Sequence, residues 1–286
     1  MTGTLLSIGH GYSAQALGCR LLARGWRVIG TTRSSESAAR LADGGIEPLV
    51  WPGTDLGPAL AEATHLLSSV APQQGADPVL AALGPQIAEA AEHLRWAGYL
   101  STTGVYGDHG GGWVDETTPL SASTRRGQWR VAAEAAWAAI PGLPLHVFRL
   151  AGIYGPGRGP FEKVRNGTAR RIVKPGQVFS RIHVEDIAQV LEASIDRPRP
   201  GAVYNLCDDD PAPPQDVIAH AAELLGLPLP PEVPFEEADL SPMARSFYAE
   251  SKRVRNDRIK TELGVRLRYP TYREGLAALL EHERGG

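Results

Sequence analysis

The chain has 286 residues, 43% of them hydrophobic and 21% charged, with a formal net charge of -3. That length is enough to bury a large core in one domain or two intimately joined ones, and the composition is ordinary for a soluble globular protein. The charge balance gives no case for nucleic acid or an anionic membrane as partner. No apolar run approaches the ~20 residues of a membrane span and no basic-then-apolar leader is evident, so a cytoplasmic protein with a small-molecule substrate is expected. Cys19 and Cys207 are the only cysteines and read as reduced and structural.

Thr4 to Ile8 is a short apolar run that leads into Gly9-His10-Gly11-Tyr12-Ser13-Ala14, then an amphipathic stretch, then a second apolar run, Val28 to Gly30. This strand, glycine turn, helix, strand order is the one that cradles a dinucleotide. Gly9 allows the tight turn, Gly11 lets the backbone approach the pyrophosphate, and Ala14 keeps helix and strand close. With Tyr12 and Ser13 these are the expected cofactor residues, because free N–H groups at a helix N-terminus favour an anion.

The second strand ends in Thr31-Thr32-Arg33-Ser34-Ser35, with no acid before Glu36. NAD sites usually place Asp or Glu there to hold the ribose hydroxyls. Hydroxyls at Thr32 and Ser34 beside the planar fork of Arg33 suit a 2′-phosphate instead, so NADP is expected, with NAD the alternative.

Glu36 to Ala42 then reads as a short helix, Ile46 to Trp51 and His65 to Val70 as strands, and Pro78 to Leu94 as a helix. Gly98 to Ser101 opens a fifth strand, Ala122 to Ile140 is helical, and Leu145 to Leu150 is a sixth strand. Such alternation implies an α/β fold with a doubly wound, mostly parallel sheet. Ala151 to Gly176 reads as loops with a short helix at Pro160 to Arg165. Arg181 to Ile195 reads as a helix with its N-terminal strand, Ala202 to Leu206 as a strand, and Gln215 to Leu225, Ser251 to Leu263 and Tyr272 to His282 as helices. The expected division is a dinucleotide-binding domain of residues 1–150 plus about 180–206. The rest, 151–179 plus 207–286, would be a smaller α+β substrate lobe over the carboxyl ends of the strands.

Several stretches resemble the extended short-chain dehydrogenase/reductase family, in particular its atypical epimerase/dehydratase-like members. They are Ser101-Thr102-Thr103-Gly104-Val105-Tyr106-Gly107, Phe148-Arg149-Leu150-Ala151-Gly152-Ile153-Tyr154-Gly155-Pro156-Gly157, Ile182-His183-Val184-Glu185-Asp186, and Ser251-Lys252-Arg253 through Leu263-Gly264. The resemblance implies a Rossmann domain with a substrate lobe and a homodimer through residues 78–94 and 122–140. It also implies that Ser69, Val70, Ala71 and Gly152 line the cofactor path.

The family's catalytic helix holds Tyr-x-x-x-Lys, four residues apart and so on one face. Here Arg126 stands at the Tyr position and Arg130 at the Lys position. Arg130 retains positive charge for a ribose hydroxyl, whereas Arg126 stays protonated and is no proton shuttle. Thr102 aligns with the family's Ser/Thr that hydrogen-bonds the reacting oxygen; substrate contact and strand-end capping are both open to it. Tyr106, Tyr154 and His183 are candidates for the missing acid. The Asp108-His109-Gly110-Gly111-Gly112-Trp113 run has the look of a flexible loop over the nicotinamide end, and Asp208-Asp209-Asp210 reads as a solvated acidic turn. The activity expected is an oxidoreductase or epimerase-like reaction with a non-standard proton donor, on a polar or anionic substrate such as a sugar nucleotide. The alternative is a non-catalytic NADP-binding sensor or scaffold.

Overall fold

A five-residue strand with four residues buried comes first, and helices then alternate with further short strands. The computed structural model describes residues 2–285. In chain order these are β1 (Thr4–Ile8), α1 (Tyr12–Ala23), β2 (Arg27–Thr32), α2 (Ser35–Asp43), β3 (Glu47–Val50), α3 (Gly57–Glu62), β4 (His65–Ser68), α4 (Pro78–Ala90) and β5 (Trp96–Thr102). After a 3₁₀ turn at Thr103–Tyr106 come β6 (Trp113–Val114), α5 (Arg125–Ala138), β7 (Leu145–Leu150), β8 (Gly152–Tyr154), α6 (Phe161–Arg165) and β9 (Arg171–Val173). The chain continues through β10 (Arg181–His183), α7 (Val184–Asp196), β11 (Val203–Leu206), α8 (Pro214–Leu225) and β12 (Glu232–Pro234). It ends with α9 (Pro242–Phe247), β13 (Arg253–Val254), α10 (Asp257–Leu263) and α11 (Tyr272–Gly285).

Seven parallel strands make the central sheet in the order β11-β7-β5-β4-β1-β2-β3. The order runs one way from β1 to β3 and the other way from β4 outward, so the crevice lies at the carboxyl ends of β1 and β4. One face is covered by α1 and α7, whose Leu17, Leu21, Ile187 and Leu191 join the first core. The other is covered by α3, α4 and α5, through Leu60, Leu83, Ile87 and Trp137. Each such side chain contributes about 1.5–3 kcal/mol by leaving water. Trp96 shows how closely this core is fitted. A Cβ at Gly98 would lie 2.2 Å from the indole, and the indole N–H donates to Ser194 Oγ at 3.0 Å. A third core, with Phe161, Val217, Ala221, Leu276 and Leu280, holds α6, α8 and α11 together apart from the two cores on the sheet.

Two expectations are corrected. Ser251 to Leu263 is not one helix: Val254 is buried against Val114 in the small cluster under the 3₁₀ turn, and its N–H is taken by Ser180 Oγ at 3.1 Å, so the segment extends as β13 beside β6. Helix starts only at Asp257. Ala151 to Gly176 carries β8 and β9, which pair with β10 and β12; three-residue strands are too short for periodicity to show.

Candidate functional site

The turn after β1 is fixed from both sides. Thr31 Oγ1 accepts from the Gly9 N–H at 2.8 Å, the Thr31 carbonyl accepts from His10 N–H at 2.9 Å, and Ser69 Oγ donates to the Gly9 carbonyl. Gly9 has φ +80°, and a Cβ there would stand 2.8 Å from Val70 Cγ2. The backbone therefore needs glycine twice over, for conformation and for space. Gly11 caps α1, where an added Cβ would meet only the Gly9 carbonyl oxygen at 3.8 Å, and the N–H groups of Tyr12, Ser13 and Ala14 meet no acceptor among the described residues. No acid occupies the first turn of α1. Three free amides at a dipole's positive end, with no competing carboxylate, fit a dinucleotide's pyrophosphate. Ser69 and Val70 brace this turn, and Ala71 beyond them is exposed.

His10 is a residue that sequence reasoning passed over. Its ring is 3% exposed and fills a socket against Gly18 and Gly30, where added Cβ atoms would come within 3.0 and 2.8 Å of it. Neither ring nitrogen has a partner, and burial lowers its pKa to about 4, so the ring is neutral. The glycines at 18 and 30 were the available signal.

At the end of β2, Thr32 is half-buried and Arg33 exposed, with no carboxylate paired to it among the described residues. Ser34 caps α2 by accepting from Ser37 N–H at 3.2 Å, and Glu36, the first acid, pairs with Arg40 at 2.6 Å.

The end of β5 is organised differently. Thr102 Oγ1 accepts from Gly104 N–H at 3.1 Å, capping the 3₁₀ turn and leaving its own proton to donate. On α5, Arg126, Arg130 and Glu134 recur every four residues on one face. Arg126 is exposed. Arg130 Nη1 donates to Tyr99 Oη at 2.9 Å and to the Leu100 carbonyl at 2.7 Å, so half of this guanidinium ties α5 to β5. Glu134 is buried, accepts from Ser101 Oγ, and pairs with Arg149 at 2.8 Å. Gly152 lies on β8 beside Arg181.

Tyr106 is corrected as a proton donor. It is fully buried, its hydroxyl donates to Asn205 Oδ1 at 2.7 Å and accepts from Arg149 at 2.9 Å, and burial raises its pKa. Tyr154 and His183 pack against each other in the lobe, and the His183 Nδ1 caps α7 by accepting from Glu185 N–H at 3.2 Å. The Asp108–Trp113 loop is tethered rather than flexible: Asp108 accepts from Ser251 N–H at 2.7 Å, and Lys252 Nζ donates to the Gly107 carbonyl at 2.7 Å. Asp208 is not solvated. It is 1% exposed, neither carboxylate oxygen has a partner, and burial pushes its pKa up to about 8. Cys207 is buried, but Cys19 is exposed. Among the described residues no group of three His, Cys, Asp or Glu could hold a metal ion, and no helix is long and apolar enough to cross a membrane.

The chain is 32% identical to Protein YeeZ of Escherichia coli (strain K12) over 280 residues, covering 92% of this chain and 95% of that one. It belongs to the YeeZ family. A conserved protein of unknown function from Silicibacter pomeroyi DSS shares 67% identity and superposes with a TM-score of 0.94 over 99% of both chains. UDP-glucuronic acid 4-epimerase from Bacillus cereus, solved in complex with NAD, is 17% identical yet matches over 99% of both chains with a TM-score of 0.78. The fold is thus that of the NAD-dependent epimerases and dehydratases. No family model matches the chain.

Proposed function

We propose that this YeeZ relative is an NADP-dependent oxidoreductase or epimerase-like enzyme acting on a polar or anionic substrate, a sugar nucleotide being one class. The observation that carries the reading is the set of unpartnered amides at Tyr12, Ser13 and Ala14 beneath a braced glycine turn, at the sheet's switch point. Gly9, Gly11 and these amides would hold the pyrophosphate, and Thr32, Arg33 and Ser34 the 2′-phosphate. The absence of an ion-pair partner for Arg33 among the described residues supports NADP over NAD. Residues 1–150 plus about 180–206 would serve the cofactor, and 151–179 plus 207–286 the substrate. Two copies would pair through the outer faces of α4 and α5.

NADP(H), when bound, supplies or accepts the hydride. The Thr102 hydroxyl donates to the substrate's reacting oxygen, while its oxygen accepts from Gly104 N–H. Arg126 would hold a substrate anion or polarise a carbonyl, and the free edge of Arg130 would be available to hold a ribose hydroxyl of the cofactor. Arg126 moves no proton, because a guanidinium stays charged at working pH.

The test is consumption of NADPH across a panel of aldehydes, ketones and nucleotide sugars, followed by absorbance. At least one substrate is expected to turn over, and Thr102→Ala is expected to lower that rate about 10²-fold by removing a preorganised donor. Tight NADPH binding with silence across the panel would remove the enzymatic reading.

A further inference from the structure

The lobe built on the third core contains a cavity of ≈ 300 Å³, at the small end of ligand-binding pockets. It shares no lining residue with the glycine turn or the end of β5. Tyr154, Pro160, Val217, Tyr272 and Leu276 form its mostly apolar walls, and two guanidinium groups, Arg158 and Arg181, face the same space.

Those two arginines differ from Arg165 and Arg171 of the same segment. Arg165 pairs with Glu283 at 2.5 Å and Arg171 with Glu232 at 2.9 Å. Among the described residues, neither Arg158 nor Arg181 has a carboxylate within ion-pair distance. Arg181 Nη1 donates to the carbonyls of Phe179 at 2.9 Å and Ala212 at 3.0 Å; its other two nitrogens have no protein acceptor among the described residues and are not sealed from solvent. The carboxylate whose field acts most on Arg181 is Asp208, which burial holds protonated up to about pH 8. A largely buried cation is left with no carboxylate in direct contact among the described residues, Asp210 acting on it only from a distance, an arrangement that is costly unless something supplies the anion. Arg158 stands at the exposed side, its guanidinium 5.6 Å from the centre of the Tyr12 ring.

We propose that this cavity is a binding site for an organic carboxylate with an apolar, ring-sized body. The body rests on Val217 and Leu276, and the carboxylate takes the free donors of Arg181 and Arg158, whose planar forks match its geometry. Tyr12 is the first residue of α1, so the cover that Arg158 gives it links the cavity to the glycine turn. Occupancy and NADPH affinity are then coupled, and reciprocally so. That coupling rests on the proposed function, but the binding does not.

The experiment is calorimetric titration of phenylacetate into the full chain without nucleotide, with inorganic phosphate as the comparison. Wild type is expected to bind one phenylacetate saturably, at least roughly tenfold more tightly than phosphate, and exposed Arg158→Gln to weaken it about tenfold by removing a charge-assisted bond. Leu276→Trp, which fills the cavity, is expected to abolish binding; a circular-dichroism melt checks its fold. No binding, equal binding in wild type and Arg158→Gln, or phosphate binding as well as phenylacetate would each overturn the proposal. Because nucleotide is absent, a failed cofactor reading leaves this result standing, and the converse also holds.

Discussion

The carboxyl ends of β1 and β5 face the same crevice and are built on opposite plans. At β1 the chain leaves backbone donors free and surrounds them with braces: Thr31, Ser69 and Val70 all hold Gly9, and none of them covers the amides of α1. At β5 nearly every strong polar group is engaged internally. Ser101, Glu134, Arg149, Tyr106 and Asn205 form one buried network, and Arg130 is half committed to the strand. The lesson is that an anion site can be written in backbone, whereas a proton-transfer site must be written in side chains. Those at β5 that could transfer a proton are employed in stability.

The sharpest way to break this contrast is Glu134→Gln. It leaves Arg149 charged and unpaired in the interior, and an expected loss of about 3–5 kcal/mol should appear in urea unfolding. A loss under about 1 kcal/mol would mean the network is not structural. Asp208→Asn acts in the other direction. The folded carboxyl, raised to about 8 from the ordinary 3.8, keeps a proton that the unfolded chain gives up, so wild-type stability drains away as pH rises from about 4 to 8. The variant should therefore gain more over wild type at pH 8 than at pH 5. The neutral histidines His10, His65, His146 and His183, each lowered to about 4, impose an opposite slope below pH 6.5 that cancels in this difference. Thermal melts at the two pH values decide it.

Gly9→Ala sharpens the other half of the comparison. Positive φ and contact with Val70 should cost about 1–2 kcal/mol of stability, while the nucleotide-induced melting shift disappears; an unchanged shift would show that the turn does not bind pyrophosphate. The smallest effect is reserved for Arg33→Asp. NADPH binding should weaken about tenfold, as expected for losing a charge-assisted contact, with NADH binding altered far less. Equal losses, measured by fluorescence titration, would remove the assignment of the 2′-phosphate.

Much of the sheet is legible because β1 to β4 are each bounded by turn residues and each followed by a helix. Leu145–Leu150 reads as the same six residues in sequence and structure. The glycine turn was legible because its requirement is conformational, and few residues meet it. Tyr106 was misjudged for the opposite reason: a tyrosine beside a strand end looks alike whether its hydroxyl faces a cleft or is buried between Arg149 and Asn205, which arrive 43 and 99 residues later. Asp208 was misjudged likewise, since three acids in a row read as solvated until the lobe closes over the first of them. Long-range partners leave no local periodicity.

The short ladder between β6 and β13 has a consequence for how the molecule is made. The seventh sheet strand is complete once Leu206 has left the ribosome, yet the rim of the cleft waits for Arg253 and Val254 to strap down the segment after Gly107. A nascent polypeptide thus acquires its glycine turn and seven-stranded sheet well before the β6–β13 ladder is assembled, and a chain cut in the stretch between α9 and β13 would keep that sheet while the segment after Gly107 stays untied.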